Sequence, residues 1–145
     1  MEYINKVKTK DALIQIDYTL KNGDELSVKY RDRARPEFYG AMAALVIPAL
    51  KMLELPETYR AACAATGVSF TWSKDIMGAV ITMQKSIEIA QAPLIINTPH
   101  IPEEPYGGTG QCMPVAMVEA LQNVIDEAKR YIAGDRAQMD MFRAS

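Results

Sequence analysis

Two runs of alternating apolar residues on either side of an Asn-Gly pair constrain this chain more than any other feature. Leu13, Ile14, Ile16, Tyr18 and Leu20 lead into Lys21-Asn22-Gly23-Asp24, after which Leu26, Val28 and Tyr30 resume the pattern. A two-residue period sends successive side chains to opposite faces of a strand, so each run gives a strand with one apolar face. Asn and Gly both tolerate positive φ, which makes Asn22-Gly23 a hairpin signal. Tyr3, Ile4 and Val7 supply a third strand before Lys8-Thr9-Lys10-Asp11. The chain is expected to open as an antiparallel meander.

The period changes at Pro36, which suits the first turn of a helix, and good helix formers follow it. Pro48 has no N–H to give, so this helix should end or kink near Val46–Ile47. Leu50, Met52, Leu53 and Leu55 predict a further buried turn, packed under the sheet. Residues 59–65 are Ala-rich and read equally as helix or strand. Thr66-Gly67 then reads as a turn, residues 68–72 as a strand and Ser73-Lys74-Asp75 as the next turn. The β-branched content of residues 78–89 predicts a long, bulged strand; Pro93 breaks it, and Leu94-Ile95-Ile96 reads as a short buried strand. A Pro- and Gly-rich loop over residues 98–112 precedes the clearest helix. There Val115, Val118, Leu121, Val124, Ile125, Ala128 and Ile132 fall on one face, and Gly134 suits the residue just past the end. The expected fold class is α+β, an antiparallel β-sheet of hairpins with one helix after the first hairpin and a long C-terminal helix. Residues 1–134 form a single α+β domain and 135–145 a C-terminal tail.

Composition removes several function classes. Sixteen basic residues against eighteen acidic ones give −2, too acidic for an extended nucleic-acid surface. No apolar run is long enough to span a bilayer, and MEYINKVKTK has no apolar core of a secretory leader. Two cysteines, Cys63 and Cys112, make no disulfide framework and fit a reducing compartment, so a cytoplasmic protein is expected. The inventory for catalysis is thin. His100 is the one histidine, no Ser or Cys sits in a nucleophile-elbow pattern, and no spacing suits zinc. Gly107-Gly108-Thr109-Gly110 has the composition of a phosphate loop without its Gly-Lys-Ser/Thr ending, and a turn explains it as well. No enzyme, cofactor or metal is expected.

Binding chemistry is better represented. Basic residues outnumber acidic ones over residues 1–35, where Arg31, Arg33 and Arg35 offer planar forks for phosphate. Phe38, Tyr39, Trp72 and Tyr106 offer faces to a nucleobase, and Asn97 has the donor and acceptor to read a base edge. The arginines read equally as a solvated face, and Trp72 as core. A small anionic nucleotide is the ligand this set suits. Nine methionines and a broadly apolar terminal helix on a short chain point to a homo-oligomer.

Two resemblances add to this. Gln138-Met139-Asp140-Met141-Phe142 resembles the Gln-Leu-Ser/Asp-Leu-Phe peptide by which bacterial and phage proteins dock on the DNA polymerase sliding clamp. Met141 and Phe142 would fill an apolar pocket while Gln138 bonds at its rim, with Met replacing both leucines. The same residues could instead pack on the domain or on a second subunit. Along the whole chain, the N-terminal hairpin, Arg35-Pro36-Glu37-Phe38, Gly67-Val68-Ser69-Phe70, Ile96-Asn97-Thr98-Pro99 and the terminal helix resemble small accessory proteins of Firmicutes prophages. Among these the chain is similar to the phage anti-Thoeris sponges, which sequester cyclic ADP-ribose signals without cleaving them. That resemblance implies a homo-oligomer with nucleotide pockets, and pocket residues Arg31, Arg60, Phe70 and Asn97. The function expected is phage anti-defence by sequestration, with clamp docking in replication as the alternative.

Overall fold

A computed structural model describes residues 3–105 and 110–137. The fold is α+β. Strands β1 (Tyr3–Lys10), β2 (Leu13–Thr19) and β3 (Glu25–Tyr30) form the expected meander. Its register, Ile14 opposite Tyr30, Ile16 opposite Val28 and Tyr18 opposite Leu26, is the one the alternation dictates. The Asn-Gly turn is looser than a two-residue hairpin. Thr19 pairs with Glu25, only Gly23 takes a positive φ (92°), and Asn22 instead accepts the Asp24 N–H on its side chain at 3.0 Å. Tight two-residue turns lie elsewhere, at Asp11-Ala12 and at Lys74-Asp75, the latter with φ of 52° and 66°.

Strands β4 (Cys63–Ser73) and β5 (Ile76–Lys85) form a second hairpin, which β4 joins to β1; β6 (Leu94–Asn97) and the short β7 (Ile101–Pro102) both pair with β5. The sheet order is β3-β2-β1-β4-β5-β6. Bulges fall in β1 between Ile4 and Lys6 and in β4 between Ala65 and Gly67, rather than in β5 as the sequence suggested. β5 also stops at Lys85, because its partner β4 begins opposite it, at Cys63.

The helical segment differs in one respect. α1 (Pro36–Ala43) ends before Pro48 is reached, and α2 (Val46–Met52) starts afresh with Pro48 in its first turn. A continuous helix would aim the Pro48 ring at the Ala44 carbonyl, so the break falls at Ala44–Leu45. Residues 59–65 split between the two readings left open, with a 3₁₀ turn over Glu57–Ala62 and strand from Cys63.

α1, α2 and the C-terminal helix α3 (Val115–Ile132) cover one face of the sheet. Ile4, Val7, Ile16, Ile81 and Met83 from the sheet meet Phe38, Leu45, Leu50, Leu121 and Val124 there, all essentially without solvent contact. The buried stripe of α3 is rotated from the expected one. Met117, Leu121, Val124, Ile125, Ala128 and Tyr131 are buried, whereas Val115 is 73% exposed. Gly134, φ 99°, ends the helix as its position implied, with Asp135 N–H returning to the Arg130 carbonyl at 2.9 Å. The other sheet face is polar. Ser27 and Gln15 donate to the Asp17 carboxylate there, and Asn5 donates to Thr19. No described helix is long and apolar enough to cross a membrane.

Candidate functional site

The arginine-rich loop, residues 31–35, connects β3 to α1, and most of its polar groups are tied to the end of α3. Arg35 pairs with Glu37 at 2.6 Å and Asp135 at 3.1 Å, which holds its guanidinium above its ordinary pKa and the Glu37 carboxyl below the usual range, chiefly through their shared hydrogen bond. Arg136 reaches Asp32 at 2.7 Å, donates to the Tyr131 carbonyl at 3.1 Å, and lies 4.3 Å from the ring centres of both Tyr30 and Tyr131. The Ala137 N–H donates to the Arg33 carbonyl at 3.0 Å, and the Tyr131 hydroxyl donates to that of Asp32. Burial pushes the Tyr131 phenol up to about 12. Arg35 is thus a structural residue. The domain also extends to Ala137, beyond the expected boundary at 134.

Arg31 and Arg33 remain exposed and have no ion-pair partner among the described residues. Arg33 lies over the Tyr39 ring, 5.0 Å from its centre, while the Tyr39 hydroxyl accepts the Ala34 N–H at 3.2 Å. Tyr39 in turn lines a cleft of about 310 Å³ whose floor is Met42, Val46 and Ala65 and whose rim carries Arg60 and Thr9. Arg60, on the 3₁₀ turn, is exposed and likewise has no ion-pair partner among the described residues. One arginine thus lies over Tyr39, and a second lines the same cleft as that ring. A larger recess, about 500 Å³, lies between residues 61–64 and 84–93, but among the described residues no charged side chain lines it, and Gln84, Ser86 and Gln91 offer an anion only neutral donors.

The other sequence candidates are not gathered here. Phe70, expected from the sequence in the pocket, is instead core: at 5% exposure, opposite Ala79 in the sheet, it offers no face to a ligand. Trp72 is half-buried, stacks near Phe70 and Tyr3, and spends its indole N–H on the Ile4 carbonyl at 2.9 Å. Asn97 sits with Thr82 on the polar face of the sheet, where its Oδ1 accepts the Thr82 hydroxyl at 2.6 Å. His100 lies across Gly78 and hydrogen-bonds Thr71 at 2.8 Å. Tyr106, residues 107–109 and the clamp-like residues Gln138, Met141 and Phe142 lie outside the described residues.

In the sequence Tyr39 is one of four candidate aromatic faces, with Phe38, Trp72 and Tyr106. Its neighbours Met42 and Ala43, at three and four residues on, share its face of α1, and Val46, at the start of α2, lines the same cleft. The signal was in the spacing. Among the described residues no group of three or more His, Cys, Asp or Glu is placed to hold a metal ion. No protein-family model, curated protein or solved structure matches this chain.

Proposed function

We propose that the chain binds a small anionic, ring-bearing ligand of the nucleotide class in the Tyr39–Arg60 cleft and holds it without turning it over. One observation carries this: Arg60 and Tyr39 line one cleft, and Arg33, like Arg60 without an ion-pair partner among the described residues, lies over the Tyr39 ring. Guanidinium forks suit phosphate, and an aromatic face suits a base. The cleft volume falls at the low end of the roughly 300–1,000 Å³ typical of small-ligand sites. Among the described residues its lining has neither imidazole nor carboxylate, and capture is the chemistry we infer. A cyclic nucleotide immune signal of the cyclic ADP-ribose type is the ligand the sequence resemblance favours, which would make this a phage anti-defence protein.

Calorimetry against cyclic ADP-ribose isomers and cyclic dinucleotides tests it. Arg60→Ala and Arg33→Ala should each weaken binding by about 1.5–3 kcal/mol, roughly ten- to hundredfold. Ligand released by heat should be recovered intact. No binding by any of these ligands, or affinity unchanged in both variants, overturns the proposal.

We propose docking on the sliding clamp as a second reading, which rests on the sequence Gln138-Met139-Asp140-Met141-Phe142 alone.

A further inference from the structure

β6 closes one side of the sheet, and the geometry of its outer edge is specific. The Thr98 N–H donates to the Ile81 carbonyl at 2.9 Å, toward β5. Along a strand, alternate residues send their N–H and C=O to the same side. Leu94 and Ile96 therefore face β5, and the N–H and C=O of Ile95 and Asn97 face away from it. The adjoining β7 has its outward carbonyl covered, since Pro102 accepts the Met113 N–H at 2.8 Å. Among the described residues, no strand or loop pairs with the outer side of β6.

This edge also carries no charge. Sheet edges facing water are normally guarded by charges or kept polar. The opposite edge, β3, exposes Glu25 and Lys29. Residues 89–99 hold no Asp, Glu, Lys or Arg, while Leu94 is 48%, Ile95 50% and Ile89 97% exposed.

We propose that β6 pairs antiparallel with β6 of a second copy of this chain, about a two-fold axis through Ile96. The outward groups sit at 95 and 97, evenly placed about 96, so the strand is its own complement. Ile95 of one protomer meets Asn97 of its partner, each pair exchanges two N–H···O bonds, and Ile96 meets its counterpart on the axis. An uncharged segment brings no like-charge repulsion to such an axis. The two sheets become one, and half-exposed Leu94 and Ile95 are covered. This does not depend on the ligand cleft, and its test reads mass rather than binding.

Light scattering of the full chain at micromolar concentration should give twice 16.1 kDa. Ile95→Pro removes an N–H that points away from β5, so it should return the mass to that of one chain while the circular dichroism stays unchanged. Ile95→Lys keeps every backbone donor, places a charge beside the axis, and should also give a monomer; it decides the matter if the proline variant misfolds. In a Cys63→Ser, Cys112→Ser background, Ile96→Cys should oxidise to a disulfide-linked dimer, since the two positions would face each other across the axis. A wild-type monomer, a dimer that survives both edge substitutions, or a dimer that Ile96→Cys cannot cross-link overturns the proposal; the first would leave the edge to some other extended peptide.

Discussion

Arg136 is the residue whose removal should cost this fold most for the least change in core volume. Its side chain is 22% exposed, donates to the Tyr131 carbonyl at 3.1 Å, pairs with Asp32 at 2.7 Å, and sits 4.3 Å from two ring centres. The Asp32 partner is 67% exposed, so that pair is screened and contributes about 0.5 kcal/mol. Each cation–π contact adds about 0.5–1 kcal/mol at a partly wet site. The bond from a charged donor to the Tyr131 carbonyl adds about 1 kcal/mol, since water can replace it in part. These groups share one side chain and do not add fully, so Arg136→Ala should cost about 2 kcal/mol. For a domain of this size that lowers Tm by about 6 °C, at about 3 °C per kcal/mol. Urea unfolding followed by tryptophan fluorescence measures it directly. Arg136→Lys keeps the charge and loses the planar stack, and should recover less than half of the loss. A loss under about 0.5 kcal/mol for Arg136→Ala, or a lysine variant as stable as wild type, would refute the stacking account.

Tyr131, neutral when folded and raised to about 12, should add stability that is fully present below its unfolded pKa near 10 and is lost as pH rises through 12; Tyr131→Phe should flatten that alkaline fall in unfolding free energy. Truncation after Ala137 should leave Tm unchanged and abolish binding to a bacterial sliding clamp, as should Phe142→Ala, which removes an anchor worth about 2 kcal/mol or more; a wild-type chain that does not bind the clamp removes that function.

The parts of the fold legible in the sequence are those fixed by local rules. Alternation at Ile14, Ile16 and Tyr18 against Leu26, Val28 and Tyr30 set both the strands and their register, and Gly134 marked the end of α3 because positive φ was needed there. Misreadings arose where distant contacts decided. Leu94-Ile95-Ile96 has the composition of a buried strand and lies at an edge, because strand burial depends on neighbours that a short apolar run does not specify. The stripe of α3 moved off Val115 because only residues facing the sheet and α1 are covered, and Pro114 sits at the rim.

The same distinction explains the candidate site. Arg31, Arg33 and Arg35 look equivalent in sequence, spaced by two in a short run. Long-range contacts separate them: Arg35 is claimed by Glu37 and by Asp135, one hundred residues away, and Arg33 by the Tyr39 ring, while Arg31 stays without an ion-pair partner among the described residues. A guanidinium already held by carboxylates gives little to a phosphate, because the ligand would have to displace them. One held only over an aromatic ring keeps its five donors available. That leaves Arg33 rather than Arg35 available over Tyr39, which lines the same cleft as Arg60, a choice that no count of arginines in the loop could make. It also links the two ends of the chain. Asp135, Arg136 and Ala137 fix the loop that presents Arg33, so Arg136→Ala should weaken any ligand of the cleft as well as the fold, without touching the ligand itself.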